Sequence, residues 1–127
     1  MRTMRLLIVD DNAYFLDAAR DLLEREGMTI VGVASTSVEA LRRAVELQPD
    51  VTLVDVDLGN DSGFDLARQL ADATSEKQSS VILISAYPAQ DLVDLIDDSP
   101  AIGFVSKSDL SSTAIAALVA RAANRRH

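Results

Sequence analysis

Five short apolar runs, separated by longer stretches of helical period, constrain this chain of 127 residues more than any other feature. The runs are residues 5–9 (RLLIV), 29–33 (TIVGV), 51–54 (VTLV), 81–84 (VILI) and 102–105 (IGFV). Each is nearly continuous in apolar character and rich in β-branched or bulky residues. A strand with one wet face would alternate; these suit strands buried on both faces of a parallel sheet. Between them, Phe15, Leu16, Ala19, Leu22 and Leu23 recur at helical spacing, and Gly27 stands at a helix C-cap position. Thr36 followed by Glu39 resembles a capping box, and Val38, Leu41 and Val45 continue that stripe. Phe64, Leu66, Ala67 and Leu70 predict a third helix. Leu92, Val93 and Ile96 predict a short fourth. Leu110, Ala114, Ile115, Leu118 and Val119 predict a fifth. The order βαβαβαβαβα predicts a doubly wound α/β domain, because right-handed crossovers place helices on both faces of the sheet. The domain is expected over 1–121, with 122–127 a helix end or the start of a linker.

Composition narrows the function. A net charge of −8 gives no general attraction for nucleic-acid phosphates. No run of apolar residues reaches membrane-spanning length, and acidic residues arrive by position 10, too early for a signal peptide. Cysteine is absent, which removes disulfides and thiolate metal sites, and a cytoplasmic protein is expected. The single histidine, His127, ends the chain, so a catalytic triad, a histidine metal cage and an internal phosphohistidine are set aside.

In open parallel sheets, ligands bind beyond the carboxyl ends of the strands, where strand order reverses. The residues just past the apolar runs are Asp10 and Asp11, Asp55 and Asp57, Ser85, and Lys107. Any one of these has a bland reading, since Asp and Ser at junctions are common turn and cap residues. Together they are four carboxylates, a hydroxyl and an ammonium at one sheet edge. Like charges there repel, and a hard divalent cation such as Mg²⁺ would relieve them. A cation, a lone Lys and a hydroxyl suit a phosphoryl group, and a carboxylate among them can act as nucleophile to form an aspartyl phosphate. Neither GxGxxG nor GxxxxGK[ST] occurs, so no nucleotide cradle is expected.

Four segments, LLIVDDN (6–12), VTLVDVDLGNDSG (51–63), VILISA (81–86) and GFVSKSDL (103–110), stand in the order and spacing of a known family. Over essentially its whole length the chain resembles the receiver domains of two-component response regulators. The resemblance implies a flavodoxin-like fold, a five-stranded parallel sheet of order 2-1-3-4-5 with five flanking helices. It implies Asp55 as phospho-acceptor and Mg²⁺ held by Asp10 and Asp11, with Asp11 favoured as direct ligand, together with Asp55 and the backbone carbonyl of Asp57. Lys107 would pair with phosphoryl oxygens, and Ser85 would hydrogen-bond the phosphoryl group and shift toward it. Phe104 would be the aromatic switch, although Phe in an apolar run is commonly plain core. Gly63 would sit at the turn into the third helix. The implied donor is a histidine kinase or a histidine phosphotransfer protein. The implied output is the face made by the fourth helix, fifth strand and fifth helix, through dimerisation or partner docking.

The sequence also departs from the family pattern. Gly59 replaces the usual proline after the acceptor and suggests a more mobile loop. Ser108 replaces the proline after the site lysine, so a trans Lys107–Ser108 bond is expected; a cis bond there would cost about 2.5–4 kcal/mol. Asp57 and Tyr87 are expected to tune the lifetime of the phosphorylated state. Two other readings stand beside this one. A degenerate receiver would serve only as an interaction module. A phosphohydrolase of the haloacid dehalogenase type would use Asp55 as nucleophile and Asp57 as acid, although its motif order is the reverse of that here. The helical end carrying Arg121, Arg125 and Arg126 suits a regulator cut short before an output domain better than a stand-alone receiver.

Overall fold

The computed structural model describes residues 3–73 and 79–125. Its strands are β1 (Arg5–Val9), β2 (Thr29–Ala34), β3 (Val51–Asp55), the two-residue pair β4 (Asp57–Leu58) and β5 (Asp61–Ser62), β6 (Ser80–Ser85) and β7 (Gly103–Ser106). Its helices are α1 (Ala13–Arg25), α2 (Ser37–Leu47), α3 (Gly63–Ala73), α4 (Val93–Asp98) and α5 (Ser112–Arg125), with single 3₁₀ turns at Ala89–Asp91 and Lys107–Asp109. The main sheet is parallel, in the order β2-β1-β3-β6-β7. Counting its five strands alone, this is the expected 2-1-3-4-5 arrangement.

The continuous apolar runs split by the strand's period of two. Leu6, Ile8, Leu53, Ile82 and Ile84 join one core with Leu16, Ala19 and Leu23 of α1 and Ile115 of α5. Leu7, Val9, Val54, Val81 and Leu83 join the other with Ala40 and Ala44 of α2 and Phe64, Leu66, Ala67 and Leu70 of α3. Burial on both faces is what makes these strands read as unbroken apolar runs.

The helix ends follow the sequence signals. Gly27, at φ +96°, ends α1 in a conformation that a side chain would strain. Thr36 Oγ1 accepts from the Glu39 amide at 3.2 Å, while Glu39 reaches back to the Ser35 amide at 2.9 Å, one residue earlier than in the usual box. α2 ends on Gln48 in the left-handed region, and Arg5 donates to the Leu47 and Gln48 carbonyls at 2.9 Å each. α4 forms where expected, but none of its residues is fully buried. α5 runs through 122–125, while Arg126 and His127 lie outside the described residues. Among the described residues no peptide bond is cis, so Lys107–Ser108 is trans as expected.

Candidate functional site

Strand register assembles the site. Val9 pairs with Val54, so the next residues, Asp10 and Asp55, leave adjacent strands at the same height. β1 and β3 flank the point where strand order reverses, the place where such sheets bind ligands. Lys107 lies two strands from Asp55, roughly 10 Å at normal strand spacing. Its long side chain closes that gap. Lys107 Nζ donates to Asp55 Oδ2 at 3.2 Å and lies 2.7 Å from Asp10 Oδ2.

Both of these carboxylates are buried, Asp10 completely and Asp55 with 6% of its surface exposed. Each has one oxygen satisfied by a nearby amide. Asp10 Oδ1 accepts from Asn12 N at 2.8 Å, and Asp55 Oδ1 from Asp57 N at 3.1 Å. Asp10 Oδ2 is enclosed without a directed hydrogen bond and meets Lys107 only as an ion pair. Burial pushes the Asp55 carboxyl up to about 6 from its ordinary 3.8, aided by Asp10 and opposed by the Asp57 amide and Lys107. Burial alone would lower Lys107, but Asp10 and Asp55 together more than reverse this and hold its pKa above the ordinary value.

Asp11 completes the cluster from the solvent side. One oxygen each of Asp10, Asp11 and Asp55 lies within 4.8 Å of the others. Three carboxylates against one ammonium leave two negative charges, and Asp10 Oδ2 is an enclosed oxygen with no donor aimed at it. This all-oxygen set fits a hard divalent cation, which would neutralise the excess and occupy that oxygen.

The loop after β3 turns at Gly59. Gly59 takes φ +72° between β4 and β5, and its amide donates to Asp57 Oδ1 at 3.2 Å. Glycine here forms part of a tight hairpin turn. A Cβ at Gly59 would lie 3.2 Å from Asp11 Oδ2, so the turn also leaves room for that carboxylate. Gly63 is tighter still: a Cβ would strike the backbone of Asp55 and Val56. Only glycine lets α3 start this close to the end of β3.

The remaining predicted residues are placed less centrally. The exposed Asp57 side chain turns into its own loop and is not part of the carboxylate cluster. Ser85 is buried and its Oγ accepts from Tyr87 N at 2.9 Å, which is a turn role. Tyr87 is 60% exposed. Phe104 is half-buried, packs partly against the α2–α3 core, and lines a groove shared with Pro88, Leu118 and Arg121. One neighbour went unmarked in the sequence: the ring of Phe15, whose centroid is 4.3 Å from Lys107 Nζ.

The response regulator receiver domain model matches residues 6–120. The chain belongs to this family. Its members are the receivers of two-component signalling systems, a signalling family rather than a class of catalyst. This receiver is 30% identical over 103 residues to the transcriptional regulatory protein PdtaR of Mycobacterium tuberculosis, covering 81% of this chain and 49% of that protein. It is 28% identical over 109 residues to a protein-glutamate methylesterase/protein-glutamine glutaminase of Thermotoga maritima, covering 84% of this chain and 31% of that protein. The receiver thus spans less than half of each of these relatives. A response regulator protein from Burkholderia pseudomallei, crystallised with a phosphorylated aspartic acid, calcium ion and citrate, is 28% identical. It superposes with a TM-score of 0.76, over 91% of this chain and 66% of that one. Family membership, with Asp57 facing its own loop, leaves the dehalogenase-type reading without support. No helix among the described residues is long and apolar enough to cross a membrane.

Proposed function

We propose that this receiver accepts a phosphoryl group on Asp55 from a phosphohistidine donor, carried by a histidine kinase or histidine phosphotransfer protein. The observation that carries the reading is the closed set at the β1–β3 edge: one oxygen each of Asp10, Asp11 and Asp55 within 4.8 Å, with one half-buried ammonium on two of them. A carboxylate of Asp55 attacks phosphorus. The new P–O bond forms as the P–N bond breaks, and the electron pair returns to the donor imidazole, which takes up a proton. Lys107 starts beside the Asp55 oxygen and meets the incoming phosphoryl oxygens with positive charge. Asp57 N holds the other Asp55 oxygen and so orients the carboxylate. Mg²⁺, held by Asp10, Asp11, Asp55 and the Asp57 carbonyl, supplies charge neutralisation of the transferring group when bound.

Ser85 would release its turn hydrogen bond to Tyr87 N and turn toward the phosphoryl group. Phe104, on the neighbouring strand β7, would then move inward and reshape the α4–β7–α5 face, which controls an output domain, a partner or a second copy. Asp57 and Tyr87 act on phosphoryl lifetime from the rim. The test is incubation with acetyl phosphate or beryllofluoride, with and without Mg²⁺, monitored by intact mass and amide NMR. A gain of one phosphoryl group that needs Mg²⁺ and vanishes in Asp55→Asn is expected. An inert wild type would leave only an interaction module.

A further inference from the structure

We infer that Phe15 is a positioning residue that holds Lys107 over Asp55, an inference that rests on the acceptor reading above. Four contacts close a ring around the site. Asp10 Oδ1 accepts from Asn12 N at 2.8 Å, and Asn12 Oδ1 accepts from Phe15 N at 3.2 Å. The Phe15 ring faces Lys107 Nζ at 4.3 Å, and Lys107 Nζ returns to Asp10 Oδ2 at 2.7 Å. The residue beside it, Tyr14, is 89% exposed, so the first turn of α1 sends one aromatic to solvent and the other inward. Packing against the α1–α5 core explains why the Phe15 ring is partly buried. It does not explain why an ammonium with two carboxylate partners rests on its face rather than in water.

The chemistry gives the ring a purpose. Lys107 has three N–H donors and two carboxylate partners. Another carboxylate in place of the ring would add to the negative excess already set by Asp10, Asp11 and Asp55, and a carbonyl would fix the ammonium in one direction. An aromatic face attracts a cation without a directional bond. It therefore retains the ammonium while letting it swing from the Asp55 carboxylate to an oxygen of an attached phosphoryl group.

The test compares Phe15→Leu, which keeps apolar bulk, with Phe15→Tyr, which keeps the ring, using radiolabelled acetyl phosphate and Mg²⁺. Phe15→Leu should label about tenfold more slowly, equivalent to about 1.4 kcal/mol. Phe15→Tyr should restore the rate and keep the wild-type urea midpoint, while Phe15→Leu should still unfold cooperatively, at a lower midpoint, because it loses ring packing and the ring–ammonium contact. Equal rates in Leu and wild type, or equal losses in Leu and Tyr, overturn the inference. A readout independent of phosphorylation is the proton shift of the Lys107 ε-methylene. It should move upfield in the wild type and in Phe15→Tyr through the ring current, and return to ordinary values in Phe15→Leu. Ordinary shifts in the wild type overturn the inference even if Phe15→Leu fails to fold. No labelling of the wild type, with the upfield shift present, overturns the acceptor reading instead.

Discussion

Replacing Asp55 by Asn should stabilise the metal-free domain at neutral pH, although it removes an ion pair. The Asp55 carboxyl is raised from 3.8 to about 6, chiefly by burial and then by Asp10, despite Lys107 beside it. Two units correspond to about 3 kcal/mol, and Asp55 is too buried for solvent to screen much of that away. The sign follows from where protons bind. Between about pH 4 and 6 the folded state binds the Asp55 proton more tightly than the unfolded chain. Its contribution is therefore most favourable below pH 4, declines as pH rises through 6, and stays lost above. Asn keeps an acceptor for the Asp57 amide and has no charge to bury. The stability of Asp55→Asn relative to wild type should thus rise by up to about 3 kcal/mol between pH 4 and 7.5. Urea denaturation in EDTA at constant ionic strength measures this, because most other titrating groups cancel in the difference. A difference constant to within about 0.5 kcal/mol across that range, or one of opposite sign, would refute the electrostatic account of the site.

Mg²⁺ at a hundred times its dissociation constant should stabilise the wild type by about 2.7 kcal/mol and leave Asp55→Asn nearly unchanged, read from thermal midpoints with and without the cation. Gly63→Ala forces a Cβ into the Asp55 and Val56 backbone, so it should cost on the order of 3–5 kcal/mol; a wild-type urea midpoint would contradict the close approach of α3. Gln48→Gly should stabilise by about 1 kcal/mol, because Gln48 closes α2 at φ +48°, and the urea midpoint should rise accordingly.

How much of the site could be read from the sequence depends on the range of the interaction that places each residue. The five strands were legible because burial on both faces leaves the same apolar mark whatever the partners are. Asp10 and Asp55 were legible for a related reason: a residue just past a parallel strand lies at one known edge of the sheet, and register does the rest. Lys107 followed from the same logic. Phe15 did not, because a ring with helical spacing reads as core, and only the fold shows that its face meets the lysine. α4 carried a correct helical signal for a short helix, and its six residues bury no whole side chain, Ile96 packing only partly against the α2–α3 core. The geometry of the loop after β3 was not legible for a more local reason. Glycine suits a mobile loop, but a positive φ is also what a two-residue turn demands, and the Asp57 side chain spends its acceptor on that turn. The same hydrogen bond turns Asp57 away from the carboxylate cluster. A single backbone choice at Gly59 thus sets both the space beside Asp11 and the direction of Asp57. Neither consequence is visible in the motif itself.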